Sequence, residues 1–195
     1  MLFYAKVCFM FLNTKKKWKL AEGFFRYGIK DENDNLICPY KYTYISKFID
    51  GFAIVKEKKG MFGKEYWGIM NENMEVSFLS ELYDNVVVLN HKVIAVYVNR
   101  EPPLWGLITP TGKKICDPKY LFCPQYINGF AQTIVVGGKR TFINDDGHQI
   151  CAPKYRAAHP FDTNGQAEVL TQNGRWERIN KYGIELQHRP NKNYI

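Results

Sequence analysis

The chain has 195 residues, of which 46% are hydrophobic and 24% charged, so it is long enough to bury a core as one globular unit. Aromatic residues make up 15% of it, and no stretch repeats apolar residues at the helical spacing i, i+3, i+4 and i+7 over three turns. The composition argues against a helical bundle and predicts an all-β fold.

The net charge of +8 is concentrated at the two ends of the chain. Residues 1–27 carry +5 and residues 171–195 carry +3, whereas residues 28–170 hold sixteen basic and sixteen acidic residues. Because the excess of basic residues lies at the two ends of the chain, we expect any acidic partner to bind there.

The cysteines argue against a disulfide framework and against a structural zinc site. They are five in number, and no two have C-x-x-C spacing. We therefore expect a reducing, cytoplasmic setting. The five are Cys8, Cys38, Cys116, Cys123 and Cys151.

The amino-terminal stretch 2–12 alternates in the manner of a strand, with Phe3, Ala5 and Val7 on one face. It does not resemble a signal peptide, because Lys6 interrupts its apolar run and no small-residue cleavage site follows. It is also shorter than the roughly 20 residues of a membrane-spanning helix. Together with a lysine-rich turn at 13–19, it is predicted to form a capping strand and basic hairpin over residues 1–26.

The stretch Leu104–Tyr120, LWGLITPTGKKICDPKY, recurs along the chain. A constant shift of 78 residues places Tyr27-Gly28 on its Trp105-Gly106 and residues 51–53 on the Gly-Phe-Ala run at 129–131. A shift of 35 places residues 153–155 on its Pro-Lys-Tyr end at 118–120. Such self-similarity predicts a repeat architecture.

The predicted repeats start 35 to 40 residues apart and each is expected to be a three-stranded antiparallel piece. In the second, Met74 and Ser80 stand where a turn glycine and a proline are expected; in the fourth, Arg140-Thr141 replaces Trp-Gly. One repeat domain over 1–195 is expected to form an open twisted array, with a small closed propeller as the alternative. Its segments are 1–26, 27–66, 67–104, 105–139, 140–175 and the truncated 176–195.

Residue types predict the roles of positions inside a repeat. The glycine that follows the first aromatic residue of a repeat, as Gly106 follows Trp105, permits close backbone approach or positive φ. Gly112 and Gly147 supply hairpin turns. Cys38, Cys116 and Cys151 occupy equivalent positions, so we interpret them as small apolar core residues rather than as a metal or redox set.

These residues resemble the bacterial WG-repeat family. The resemblance rests on Trp67-Gly68-Ile69, Trp105-Gly106-Leu107-Ile108, Gly112-Lys113-Lys114-Ile115, Pro118-Lys119-Tyr120 and Gly129-Phe130-Ala131, and it spans about 27 to 186. It implies a β-rich repeat fold with a binding or scaffolding role. Because the family has no shared catalytic residues, the resemblance implies no catalytic, cofactor or metal residue.

An enzyme with an unrecognised site is the hypothesis from a different class. The four histidines lack H-x-x-x-H or H-E-x-x-H spacing, and no P-loop, G-x-S-x-G or G-x-G-x-x-G motif is present. Asp145 and Asp146, like Asp31 and Asp34, fall in predicted turns, where aspartate is expected for backbone reasons.

The basic ends carry the sharpest binding signal, since lysines with an interleaved aromatic can neutralise phosphates and stack on an unpaired base. The alternative is a solvated hairpin tip with Trp18 packed inward. We expect a non-enzymatic protein that binds a protein or nucleoprotein complex, with nucleic acid as the alternative partner and no membrane contact. The candidate binding residues are Lys15, Lys16, Lys17, Trp18, Lys19, Arg140, Arg175 and Arg178.

Neutralising the four lysines of the basic cluster together (Lys15, Lys16, Lys17 and Lys19 to Gln) tests the basic-end hypothesis. We expect a nearly unchanged melting temperature, because exposed charges contribute little to stability, and weaker binding to any acidic partner. Thermal unfolding and a titration with single-stranded RNA at low and high salt measure the two quantities. Equal RNA binding by the variant would refute the patch.

Overall fold

The computed structural model describes residues 18–60, 63–79 and 82–186. These residues form 17 strands in four sheets, every strand pairing is antiparallel, and none of them lies in a helix. The all-β prediction is confirmed. The part of the chain that the structure describes therefore contains no helix that could cross a membrane.

The chain divides into two compact units, Met1–Pro118 and Lys119–Ile195. The first sheet is β1 (Lys19–Glu22), β2 (Tyr27–Lys30), β3 (Leu36–Ile45), β4 (Phe52–Lys58), β5 (Glu65–Asn71) and β6 (Val76–Phe78). The second, in the order β10-β9-β8-β7, is β7 (Asn85–Val88), β8 (Ile94–Val98), β9 (Leu104–Ile108) and β10 (Lys114–Tyr120). The third is β11 (Gln125–Ile127), β12 (Phe130–Ile134) and β13 (Arg140–Ile143). The fourth is β14 (Ala157–Ala158), β15 (Gln166–Leu170), β16 (Trp176–Asn180) and β17 (Glu185–Leu186).

One hairpin turn recurs in all five predicted repeats. Its first residue accepts the N–H of the fourth residue and pairs its own N–H with the carbonyl of the fifth, at 2.8 to 2.9 Å for the latter bond. The side chain of that first residue also accepts backbone N–H groups inside the turn, as aspartate, asparagine and threonine do in such turns. The five turns span 31–35, 71–75, 109–113, 144–148 and 180–184.

Positive φ at the fourth residue of each turn is kept even where the glycine is absent. Gly112 has φ 84° and Gly147 φ 80°, while Asp34 has 64° and Met74 has 65°. The Met74 side chain packs against the buried residues of the first sheet, and this burial offsets the strain of a left-handed conformation. The second repeat therefore keeps the turn although it lacks the turn glycine.

Successive repeats are joined by strand pairing. The last strand of one repeat lies antiparallel to the first strand of the next, as β4 does with β5 and β8 with β9. The pairs β12–β13 and β15–β16 repeat this arrangement. Each repeat consequently completes a sheet of its neighbour, which is why its apolar face needs that neighbour to be buried.

The glycine after the aromatic residue lets the next strand approach closely. A Cβ at Gly28 would lie 2.6 Å from the Cys38 carbonyl oxygen, and one at Gly106 would lie 3.1 Å from the Cys116 oxygen and 2.9 Å from the Pro118 nitrogen. These distances are shorter than side-chain carbons tolerate, so the predicted role of close approach is confirmed.

In the fourth repeat, a threonine hydroxyl contacts the equivalent carbonyl. Thr141 stands at the glycine position, is fully buried, and donates its hydroxyl hydrogen to the Cys151 carbonyl at 2.5 Å. That carbonyl corresponds to those of Cys38 and Cys116. The second strand is here reduced to isolated bridges, Ile143 with Gln149 and Arg140 with Tyr155.

The tyrosine at equivalent positions of the first, third and fourth repeats lies in the core. Tyr42, Tyr120 and Tyr155 are exposed by 1%, 0% and 0%. The preceding cysteines follow this only in part, since Cys38 is buried and Cys116 and Cys151 are half-buried. The tyrosine rings therefore contribute more to the buried core than the cysteine thiols do.

The predicted strand at 2–12 and the residues Lys15–Lys17 lie outside the described residues. The turn predicted for 13–19 is wrong at its end, because β1 already begins at Lys19. Lys19 faces Lys30 in the strand register, and its ammonium lies 3.1 Å from the Asp34 carboxylate. That ion pair reduces the repulsion that two facing lysines would otherwise cause.

Replacing Thr141 by the near-isosteric valine tests the hydroxyl contact. We expect Thr141→Val to lower the free energy of unfolding by about 1–3 kcal/mol, because the Cys151 carbonyl loses the hydroxyl donor that the buried Thr141 supplies. Thr133→Val is the matched control: Thr133 is also buried, but its hydroxyl lies at a long 3.5 Å from the Thr141 carbonyl. Urea unfolding of both variants measures the difference, and an equal loss in the two would contradict the assigned role.

Candidate binding surfaces

The turn between β1 and β2 presents two phenylalanines to solvent. Phe24 and Phe25 are exposed by 90% and 81%, and their ring centroids lie 4.4 Å apart in an edge-on arrangement. Phe25 has φ 60°, a left-handed conformation that is unfavourable for an aromatic residue. The two side chains gain little from folding, so local stability does not explain them.

The base of this turn is firmly held. The Gly23 N–H donates to the Arg26 carbonyl at 2.7 Å, and a Cβ at Gly23 would lie 2.9 Å from the Tyr40 ring. The Arg26 guanidinium donates from Nη1 to the Lys41 carbonyl at 3.2 Å. The phenylalanine pair is therefore carried on a fixed hairpin. The sequence signal for it is two aromatic residues placed directly after a glycine, between two short strands.

The described part of the basic cluster is engaged within the fold. Trp18 is exposed by only 8% and packs edge-on against Phe48 at 4.8 Å between ring centroids. Its ring is thus not available to stack on a base, and the inward packing that we weighed as the alternative is observed. The Lys19 ammonium pairs with Asp34 and also donates to the Glu32 carbonyl at 3.4 Å.

The aromatic residue that begins a repeat packs beside a side chain of the adjoining strand or segment. Lys56 lies over the Trp67 ring at 4.2 Å from its centroid, and Tyr97 lies 5.1 Å from Trp105. His159 stacks on Trp176 at 4.8 Å. These rings are half-buried or exposed at the sheet surface rather than enclosed in the core.

Arg140, which takes the tryptophan position in the fourth repeat, is half-buried and held by two acceptors. Its Nε donates to the Arg156 carbonyl at 3.2 Å. With the amide oxygen of Gln132 turned toward the guanidinium, that oxygen accepts from Nη1 at 2.9 Å, and the amide nitrogen donates to the Ala158 carbonyl at 3.2 Å.

The other two predicted arginines differ in environment. Arg178 lies 3.4 Å from the Glu168 carboxylate, which also faces the His159 ring at 3.4 Å. Arg175 is exposed in the turn that precedes β16. Arg140 and Arg178 line two different cavities, of about 320 and 180 Å³, that share Pro160 as a wall.

Metal-ligating side chains, acidic turn residues and thiols are the groups that bear on the enzyme hypothesis. No group of three or more metal-ligating side chains occurs within 18–60, 63–79 and 82–186. Asp31 accepts the Asn35 side-chain amide and the backbone N–H groups of Asn33 and Asn35, which lower the pKa of its carboxyl. Burial raises the pKa of the Cys123 thiol to about 11, so it is protonated at neutral pH.

Comparison with known proteins supports the repeat assignment. Residues 27–60 and 141–176 match the family model described as WG containing repeat, which confirms the predicted resemblance in the first and fourth repeats. A comparison with curated proteins gives no match.

The comparison with solved structures gives two similar chains. A structure described as the crystal structure of the eukaryotic initiation factor has a TM-score of 0.51 and 6% identity, over 87% of this chain and 50% of that one. The computationally designed Ika8 protein has a TM-score of 0.40 and 9% identity, over 90% and 59%. The chain spans about half the length of the initiation factor, and at 6% identity the likeness concerns the fold alone.

The thiol of Cys123 provides a test of the chemistry of the larger cavity. A thiol of pKa about 11 is deprotonated at pH 7.5 in only about one molecule in 3,000, so alkylation by iodoacetamide should be slow. We expect the rate to rise roughly tenfold per pH unit between about pH 7.5 and 9.5. Timed labelling with peptide mass spectrometry measures it, with the denatured chain as control. Labelling as fast as in the denatured chain would contradict a protonated, shielded thiol.

Proposed function

Because the chain carries WG containing repeats at residues 27–60 and 141–176, we propose that it is a non-enzymatic binding protein that presents its β-repeat surface to another protein. The observation that carries this proposal is the exposed Phe24–Phe25 pair on its fixed hairpin. Exposed apolar groups of this kind mark contact sites more often than they serve the fold.

In the isolated chain, the exposed Phe24–Phe25 pair does not gain the free energy of burying its rings. Burying a phenylalanine side chain is worth about 1.5–3 kcal/mol, and a left-handed residue other than glycine costs about 1–2 kcal/mol. Neither Phe24 nor Phe25 recovers this inside the described fold. A partner with an apolar pocket would bury both rings, while the hydrogen bond from Gly23 to Arg26 holds the turn that presents them.

Nucleic acid bound through the basic ends is the alternative partner. The net charge of +8 and the exposed Arg175 support it. Against it stand the burial of Trp18 and the ion pairs that neutralise Lys19 and Arg178. Protein is therefore the better-supported partner, in a reducing cytoplasm that the free thiols of Cys38, Cys123 and Cys151 favour.

Replacing the pair by Phe24→Ser with Phe25→Gly tests the proposal. The glycine relieves the positive φ, so we expect thermal stability to be kept while partner capture from a native lysate falls roughly fivefold or more. Tyr182→Ser is the control, since Tyr182 is 66% exposed in a different hairpin turn. Quantitative mass spectrometry of the captured proteins compares the three chains.

Two outcomes would contradict the proposal. One is that the double variant captures the same proteins in the same amounts as the unmodified chain. The other is that capture disappears after ribonuclease or deoxyribonuclease treatment and falls steeply between about 50 and 200 mM salt, which would favour the nucleic-acid alternative.

A further inference from the structure

One face of the third sheet lines the larger cavity. Because side chains alternate along a strand, Gln125 and Ile127 of β11 share a face with Phe130, Gln132 and Ile134 of β12. The strand register places each of them opposite another lining residue, for example Ile127 opposite Phe130. Arg140 and Phe142 of β13 complete the face, which Phe122, Cys123 and the Pro160-Phe161 segment border.

The floor of this cavity is rigid and aromatic. Phe161 stacks on Phe130 at 4.2 Å and meets Phe142 edge-on at 4.8 Å. Phe142 and Phe161 are themselves buried. The rim is different, because Phe122 and Ile127 are 65% and 49% exposed. An apolar group entering the cavity would cover these two side chains while resting on a preformed floor.

Arg140 is the one charged side chain among the described residues that line the cavity. Two of its donors are used, by the Arg156 carbonyl and by Gln132. A guanidinium has five N–H donors, so three remain for a ligand, and the two existing bonds fix its orientation. Unlike Arg178, it has no carboxylate partner among the ion pairs of the described residues. The positive charge of the Arg140 guanidinium is therefore complementary to an anionic group of a ligand.

We propose that this cavity binds a segment of a partner protein that carries an aromatic side chain next to a carboxylate. The ring would pack between Phe122, Ile127 and the aromatic floor, and the carboxylate would accept hydrogen bonds from Arg140. A volume of about 320 Å³ is at the small end of ligand pockets, which suits one side chain with its flanking backbone better than a cofactor. This site lies in the carboxy-terminal unit and is separate from the Phe24–Phe25 turn, so it goes beyond the function proposed above.

A peptide titration followed by NMR tests the site. The probe is the acetylated and amidated tetrapeptide Gly-Phe-Glu-Gly, for which we expect a Kd of about 1 mM, in keeping with a small half-open pocket. The controls are Gly-Phe-Gln-Gly, which lacks the charge, and Gly-Ala-Glu-Gly, which lacks the ring. We expect each control to bind roughly tenfold more weakly.

Variants of the protein complete the test. Arg140→Gln should abolish the preference for the glutamate peptide, and Phe122→Ala at the exposed rim should weaken binding roughly fivefold without affecting folding. Val136→Ala is the control, because Val136 is 57% exposed next to the same sheet but does not line the cavity. If Arg140→Gln does not fold, the comparison of the glutamate and glutamine peptides decides the role of the charge.

Three results would overturn the proposal: no resonance shift of the cavity residues at about 10 mM peptide, equal affinity for the charged and neutral peptides, or tighter binding of free N-acetylphenylalanine than of the tetrapeptide. The last would identify a small acid, not a protein segment, as the ligand. The Phe24→Ser and Phe25→Gly variant should bind the tetrapeptide normally, so failure of this site and failure of the proposed function are distinguishable.

Discussion

The fold depends on the close approach of strands at Gly28 in the first repeat, Gly106 in the third and Thr141 in the fourth. A Cβ at Gly28 or Gly106 would lie only 2.6 or 3.1 Å from a neighbouring carbonyl oxygen. At Thr141 the side-chain hydroxyl donates to the equivalent carbonyl. Because the same strand also pairs with the last strand of the preceding repeat, it is confined on both edges. A bulky side chain there would disturb two neighbours at once, so this position tolerates few solutions.

This confinement separates scaffold from surface. The hairpin turn is the same in all five repeats, and a buried tyrosine recurs in the first, third and fourth, at Tyr42, Tyr120 and Tyr155. Two features are not explained by core packing: the Phe24–Phe25 turn, and the cavity with Arg140, which has no carboxylate partner within the described part of the chain. A protein built in this way can change its binding surfaces without changing its interior.

Much of the scaffold was predictable from the sequence because it depends on local spacing. The turn glycines, the close-approach glycines and the Pro-Lys-Tyr ends recur in several repeats that start 35 to 40 residues apart, and the all-β class follows from the composition. Aligning residue types between repeats did not predict the turn at Met74. This turn forms without glycine because the methionine side chain gains burial. The surfaces were less predictable. The packing of Trp18 on Phe48, the bond from Arg140 to the Arg156 carbonyl and the stacking of Phe161 on Phe130 arise from contacts between residues that are far apart in the sequence.

Amide hydrogen exchange tests most directly the claim that pairing between repeats stabilises this fold. In the first sheet, the account predicts the slowest exchange for the β4–β5 pair, where Ala53 to Val55 face Gly68 to Met70 and all six residues are buried. Exchange should be faster in the β5–β6 pair within the second repeat, where Ser77 and Phe78 are exposed. Slower exchange in β5–β6 than in β4–β5 would contradict the account, because each repeat would then be held together by its own hairpin rather than by its neighbour.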